Sequence, residues 1–395
     1  MSKTTITGII LILFALATFS IVWYKNRPVA RVPLVFSPRG MMSSLWHHYK
    51  LEYVEKDTFR TLDKQQDNIT TSEGQSYTML RAVIMDDRAT FDGAYKWTRE
   101  NLKRKEDNLY SWLFGKRADG SYGVLTDRGG YNSASDADSD IALALIFAHN
   151  RWGDDRYLID AKALLKDIWD KEVVVIKGTP YLAANNVEKT NSQKVVINPS
   201  YLAPYAYRIF AEVDPLHGWM KLVDSSYKIL EESSAAKLDK STSAGLPPDW
   251  VVIDKKTGEL SAPSVGNLTT NFSFDALRAP WRVALDYEWN KEPRALAYLK
   301  KLSFLSDTWR KEGKISASYS HDGTVVSEIE VPAMYAGVIG YFMVNDPAGA
   351  EEIYNKKIKV LYNPDKNNWR QQLSYYDDNW TWFGIGLYNH LIKPL

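Results

Sequence analysis

The chain has 395 residues, with 49 Lys+Arg against 48 Asp+Glu, a formal net charge of +1, and no cysteine. The charge balance excludes a nucleic-acid binder held by a basic surface. The absence of cysteine excludes disulfides, thiolate metal sites, Cys nucleophiles and iron–sulfur clusters. Hydrophobic residues at 45% and charged residues at 25% are those of a globular chain rather than a disordered one.

The N-terminus opens with Ile6–Tyr24, 19 residues without a charge, which at about 1.5 Å per residue nearly spans a hydrocarbon core of about 30 Å. Trp23 and Tyr24 occupy the place of an interfacial aromatic belt. Residues 1–24 are therefore read as an uncleaved signal-anchor, with a cleaved signal peptide at Ala15-Leu16-Ala17 as the alternative. Lys3 on one side and Lys25, Arg27 and Arg31 on the other give no charge bias toward an external body. Long following domains translocate largely regardless of such charges, so the body is expected outside the membrane, tethered to the cell or secreted. Residues 25–40, with Pro28, Pro33 and Pro38, read as an extended linker, and 41–395 as one domain.

Within that domain, apolar periodicity predicts helices over Met42–Lys56, Ser76–Asp86, Thr90–Arg104, Ser139–Trp152, Tyr157–Glu172, Tyr201–Val213 and Gly218–Ser233. Further helices follow over Phe274–Glu288, Pro293–Lys311, Ala333–Val344, Ala348–Leu361 and Trp380–Ile392. Strand-like runs are short: Glu172–Ile176, Val195–Ile197 and Val325–Ile329. No βαβ alternation, GxGxxG or phosphate-binding loop occurs, which argues against a nucleotide enzyme on a parallel sheet. About twelve helices point to an all-α domain with small β excursions.

Three polar constellations interrupt this pattern. Ser133–Asp140 reads SASDADSD and opens an apolar helix. One Asp there suits a helix N-terminus; three ask for more. An EF-hand loop fails, because Ile141 stands where Gly is required and Phe147 where Glu is required. Carboxylates that bind sugar hydroxyls in a cleft are the remaining reading. The 14 Trp and 24 Tyr suit such a cleft, since sugar rings present apolar faces to indole.

The second constellation is Thr70–Tyr77, TTSEGQSY. Either Thr70 with Glu73 or Ser72 with Gln75 has the form of a capping box. Alternatively, Glu73 is a half-buried acid at a helix mouth, its pKa raised toward that of a general acid. The third is Asn271–Arg282, NFSFDALRAPWR, with Asp275 and Arg278 at i,i+3. A surface ion pair of this kind contributes a few tenths of a kcal/mol. A carboxylate oriented by Arg among Phe272, Phe274 and Trp281 fits a general base better. The six histidines form no HExxH motif, and neither a metal nor an organic cofactor is expected.

Together these segments resemble glycoside hydrolase family 8. Ala134–Trp152, ASDADSDIALALIFAHNRW, is similar to the whole signature of that family. TSEGQSYTM (71–79), NPSYLAPYAYRIF (198–210), GLPPDW (245–250), FDALRAPWR (274–282) and YYDDNWTWFGIGL (375–387) agree in order. The resemblance implies an (α/α)6 barrel around an open cleft for a β-linked polysaccharide. It implies Glu73 as general acid, Asp275 as general base and Asp136 as the carboxylate that meets the sugar at the cleavage point. Asp138 is a sugar ligand or a helix cap, and Arg278 and Arg282 are orienters of the carboxylates. Tyr201, Trp112, Trp281, Tyr376 and Trp380 are stacking candidates. Phe274 stands where the family has Tyr, so a hydroxyl near the base is missing.

The implied activity is inverting, endo-acting hydrolysis of a β-glucan-like polymer by a monomer. A membrane tether without a carbohydrate-binding module favours an exopolysaccharide or biofilm-matrix polymer, with an exopolysaccharide synthase as partner. Alternatives are a xylanase or chitosanase of the same family, an inactive polysaccharide-binding accessory, and an (α/α)-barrel lyase.

Overall fold

The structure is a computed structural model that describes residues 37–264 and 266–395. The expected anchor over 1–24 lies outside the described residues, as does the linker up to residue 36. Among the described residues no helix is long and apolar enough to cross a membrane.

Thirteen α-helices run through the described residues, accompanied by small antiparallel ribbons of two or three strands. They are α1 (Pro38–Tyr53), α2 (Ser72–Ile84), α3 (Arg88–Asn101), α4 (Ser135–Trp152), α5 (Asp155–Glu172), α6 (Pro204–Val213) and α7 (Trp219–Ala235). There follow α8 (Arg278–Asn290), α9 (Pro293–Lys301), α10 (Phe304–Glu312), α11 (Pro332–Asn345), α12 (Pro347–Ile353) and α13 (Tyr375–Tyr388). Pro38, read as linker, instead opens α1. Its missing N–H and fixed φ suit the first helical turn.

Burial separates these helices into two sets. Along α2, α4, α8, α11 and α13 nearly every residue of the first ten is buried, polar ones included, and the shorter α6 buries its first four residues. A helix apolar on all sides belongs in an interior. The others bury one stripe: α3 buries Thr90, Phe91, Ala94, Tyr95, Trp97 and Thr98, at helical spacing. The inner helices pack in chain order, α2 on α4, α4 on α6, α6 on α8, α8 on α11 and α11 on α13. The ring closes where Tyr77 of α2 meets Trp380 and Phe383 of α13 edge-on, and where buried Arg81 donates to Asp378 at 2.9 Å and Asn379 at 3.0 Å. The alternation of inner and outer helices agrees with the expected (α/α)6 plan.

Glycine sets the spacing on one side of the ring. A Cβ at Gly337 of α11 would lie 2.4 Å from the Leu277 carbonyl oxygen, and one at Gly384 of α13 would lie 2.5 Å from Ala336 Cβ. These backbones approach as closely as they do because neither residue has a side chain.

Two expected helices are divided. Pro293–Lys311 is interrupted at Leu302–Ser303 between α9 and α10. Leu299, Leu302 and Leu305 are all fully buried, so the apolar period runs on through the break and conceals it. The helix expected over 348–361 passes after α12 into a π turn, Tyr354–Ile358. Strands missed by periodicity include Leu113–Lys116 paired with Tyr122–Val124, and Val251–Asp254, whose partner Lys194–Ile197 contains the expected run Val195–Ile197.

Candidate active site

The inner helices begin at one end of the ring, and the polar constellations lie in their first turns or just before them. Glu73 is in the first turn of α2, and Asp136 is in that of α4. Asp275 sits in the turn that leads into α8, and Arg278 is the first residue of α8. Neither anticipated capping box forms. The cap is Thr71, whose Oγ1 accepts from Gly74 N at 3.0 Å. Gln75 instead accepts from Thr61 N at 2.6 Å. Glu73 is thereby left to face inward.

One guanidinium gathers all three candidate catalytic carboxylates. Arg278 Nη1 donates to Glu73 Oε2 at 2.5 Å and to Asp136 Oδ2 at 3.1 Å. Arg278 Nη2 donates to Asp275 Oδ1 at 2.5 Å. The Arg278 side chain is 1% exposed, while those of Glu73 and Asp275 are 24% and 32% exposed. The cation is thus sealed beneath two acids that reach the cleft. Its Nε donates to Ser200 Oγ at 3.1 Å, and its guanidinium lies over the Tyr201 ring at 5.1 Å.

Charge at this site is unbalanced, with three carboxyls around one cation. Burial is the main cause that pushes Glu73 up to about 7; Arg278 opposes it, and Asp136 and Asp275 add to it. Burial also raises Asp136, against the pull of Arg278 and Arg282. The arrangement therefore favours a proton on Glu73 near neutrality, as general acid chemistry requires. Among the described residues no group of acidic and histidine side chains is arranged to hold a metal ion.

Other expected site residues are distributed differently. Arg282 does not touch Asp275. It holds Asp140 in a bidentate pair at 2.8 and 3.0 Å and donates to Tyr205 OH at 2.8 Å. Asp138 is not in the cleft. It is fully buried, accepts from Tyr110 N at 3.1 Å, and lies beside Glu172 of α5, whose charge helps to raise it. It points away from Asp136 because side chains two residues apart on a helix diverge.

Of the stacking candidates, Trp281 and Trp380 are 6% and 1% exposed. They pack against each other and Phe383 in the ring interior, so they are core rather than platform. Trp112, Tyr201 and Tyr376 are half-buried. Trp112 adjoins the start of α2, its carbonyl accepting from Ser72 N at 3.0 Å. Tyr376 donates its hydroxyl to the Phe274 carbonyl, and the two rings meet edge-on. Phe274 is 46% exposed, an apolar surface beside the candidate base.

Sequence reasoning missed Trp250. Its indole Nε1 donates to Asp275 Oδ2 at 3.1 Å, and its ring stands edge-on to Tyr201 at 5.7 Å. The PDW tripeptide was visible, but a contact across 25 residues leaves no periodic mark.

The profile of glycosyl hydrolases family 8 matches residues 29–383. Endoglucanase 2 of Ruminiclostridium josui is 29% identical over 341 residues, 82% of this chain and 67% of that protein. An endoglucanase of Escherichia coli (strain K12) is 34% identical over 238 residues, 59% of this chain and 60% of that protein. The chain spans about two thirds of the length of the first curated relatives it matches. The crystal structure of an endo-1,4-D-glucanase from Vibrio fischeri ES114 superposes with a TM-score of 0.72 at 25% identity, covering 87% of this chain and 94% of that one. With its body matched by the profile and its three carboxylates converging on one arginine, the chain belongs to glycosyl hydrolases family 8 and is a glycosidase by class.

Proposed function

We propose that this chain cleaves a β-linked, glucan-type polysaccharide by endo-acting, inverting hydrolysis. The observation that carries the proposal is the single guanidinium of Arg278 bonded to Glu73, Asp136 and Asp275, with only Glu73 and Asp275 open to the cleft. Protonated Glu73 gives its proton to the leaving oxygen as the glycosidic C–O bond breaks. A water attacks the anomeric carbon from the opposite face, and Asp275 takes a proton from that water. Solvent then returns a proton to Glu73 and removes one from Asp275.

Arg278 serves both halves of this cycle. It keeps Asp275 oriented, and it stabilises Glu73 as the carboxylate that forms once the proton has left. Burial sets the opposite tendency and keeps the proton in place until the substrate takes it. Relatives named endoglucanases support a β-glucan as substrate class. The uncharged run over 6–24 supports a body held at the outer face of a cell membrane, or secreted, where an exopolysaccharide of the biofilm matrix is the accessible polymer and its synthase a neighbour.

The test is the anomer released first. Inversion of a β-linkage gives the α-anomer, visible by proton NMR before mutarotation. Retention, with carboxyls only about 5–5.5 Å apart rather than about 6.5–9.5 Å, gives the β-anomer and overturns the mechanism. Absence of any cleavage across β-glucans, xylan and chitosan would favour an inactive polysaccharide-binding role.

A further inference from the structure

The turn that carries Asp275 is held from below by a residue with no role in the reaction scheme above. Asp249 is 3% exposed. Its Oδ1 accepts from Ala276 N at 2.8 Å and Ser273 N at 3.2 Å, and its Oδ2 accepts from Ser273 Oγ. These donors flank Asp275 on both sides. The next residue, Trp250, reaches over the turn and donates its indole N–H to Asp275 Oδ2. Both residues are pinned through the backbone, Asp249 N to Asn271 O at 2.6 Å and Trp250 N to Thr269 O at 3.1 Å.

The Asp275 carboxylate therefore has a donor on each oxygen, Arg278 on Oδ1 and Trp250 on Oδ2. Arg278 alone would leave the carboxylate free to pivot about that one bond. Two donors on separate oxygens fix the plane of the carboxylate, and the Asp249 contacts fix the backbone beneath it. We infer that Asp249 and Trp250 form a two-residue clamp whose purpose is to aim the Asp275 carboxylate at the attacking water. Both are positioning residues, and the inference rests on Asp275 being the base.

Misplacement of a reacting group by about 1 Å costs about a hundredfold in rate. Trp250→Phe keeps an aromatic ring and removes the N–H; it is expected to lower kcat about tenfold to a hundredfold with KM on a soluble β-glucan within about twofold. Asp249→Ala is expected to lower kcat similarly. Asp249→Asn, which retains Oδ1 as acceptor, is expected to recover most of that loss.

The decisive measurement places Trp250→Phe in an Asp275→Ala background supplied with azide, which can replace the attacking water. Formation of α-glycosyl azide by Asp275→Ala alone establishes the base assignment; its absence overturns that assignment and the clamp with it. Given that product, an azide rate unchanged by adding Trp250→Phe shows that Trp250 acts only through Asp275. An azide rate reduced by the full single-mutant factor shows that Trp250 acts on the sugar directly and overturns the clamp. Should Asp249→Ala fail to fold, Asp249→Asn and Trp250→Phe carry the test. An unchanged kcat in Trp250→Phe refutes the proposal.

Discussion

Arg278 and Arg282 stand one turn apart on α8, and both are buried. Arg282 meets one carboxylate, Asp140, through two parallel hydrogen bonds, and both side chains are sealed at 2% and 4% exposure. Arg278 meets three carboxyls, two of which reach solvent. The lower pair is neutral as a unit. The upper cluster has more negative groups than its cation offsets, so one of them holds a proton near neutrality. Stoichiometry of charge, rather than burial of arginine, separates a structural ion pair from a site that moves protons.

The strongest way to break the upper cluster is Glu73→Gln. Turnover is expected to fall at least about a hundredfold, with circular dichroism and sugar binding preserved. The wild-type rate should decline as pH rises through about 7, because the acid must carry its proton, and a pH–rate profile checks this. If turnover survives and the melting temperature drops instead, Glu73 is a helix-start residue only.

Breaking the lower pair should do the reverse. Arg282→Met leaves Asp140 charged and uncompensated in the interior, and a loss of about 3–5 kcal/mol is expected from denaturant unfolding. Adding Asp140→Leu should recover much of it. Arg278→Met should lower activity sharply and also cost stability, since Asp136 is left buried without this partner while Glu73 and Asp275 retain access to water.

A third contrast is the Asp138–Glu172 contact, which contains two carboxyls and no cation. Asp138 Oδ2 and Glu172 Oε2 have no hydrogen-bond partner, and Ser133 Oγ donates to Glu172 Oε1 at 2.6 Å. Burial is the leading cause that raises both and pushes Glu172 up to about 8. Because the folded-state pKa lies above the unfolded one, this contribution to stability is fully present below the ordinary carboxylate range and is lost as pH rises through about 8. Melting temperature should therefore fall as pH rises from the ordinary carboxylate range to about 8. Glu172→Gln should flatten that fall.

The smallest effects should distinguish platform from core. Trp112→Ala is expected to raise KM several-fold with kcat nearly unchanged, the mark of a binding contact. Trp281→Phe should leave KM alone and cost about 1 kcal/mol, since it removes a buried donor to the Phe383 carbonyl. Equal KM values for both variants would erase the distinction.

How much of this was legible follows from where each residue acts. Glu73, Asp136, Asp275 and Arg278 stood out because polar residues broke an apolar pattern, and the structure brings all four together. The same break misplaced helix starts. Ser72, Ser135 and Tyr375 begin helices expected to begin at Ser76, Ser139 and Trp380, since a polar first turn looks like a loop. Asp138 reads as a sugar ligand or a helix cap because it shares a run with Asp136, but burial on the far side of the helix cannot be read from composition. Trp281 and Trp380 were expected as platforms on residue type alone, and the ring interior claims them. Asp249, Trp250 and the Arg282–Asp140 pair act across 24 to 142 residues, a distance at which a single sequence carries no signal.

The closure of the ring has a kinetic consequence. Arg81 and Asp378 are 297 positions apart, and α13, which completes the circle, emerges after every other helix of the ring during synthesis. Loop closure over such a span is entropically slow compared with the pairing of neighbouring helices. Glu73 emerges early but remains beside an incomplete wall until Tyr376 and Trp380 arrive, so a nascent chain has every candidate catalytic carboxylate before it has a cleft. Hydrolytic competence should thus appear in one late step, making activity a direct reporter that the last helix has docked.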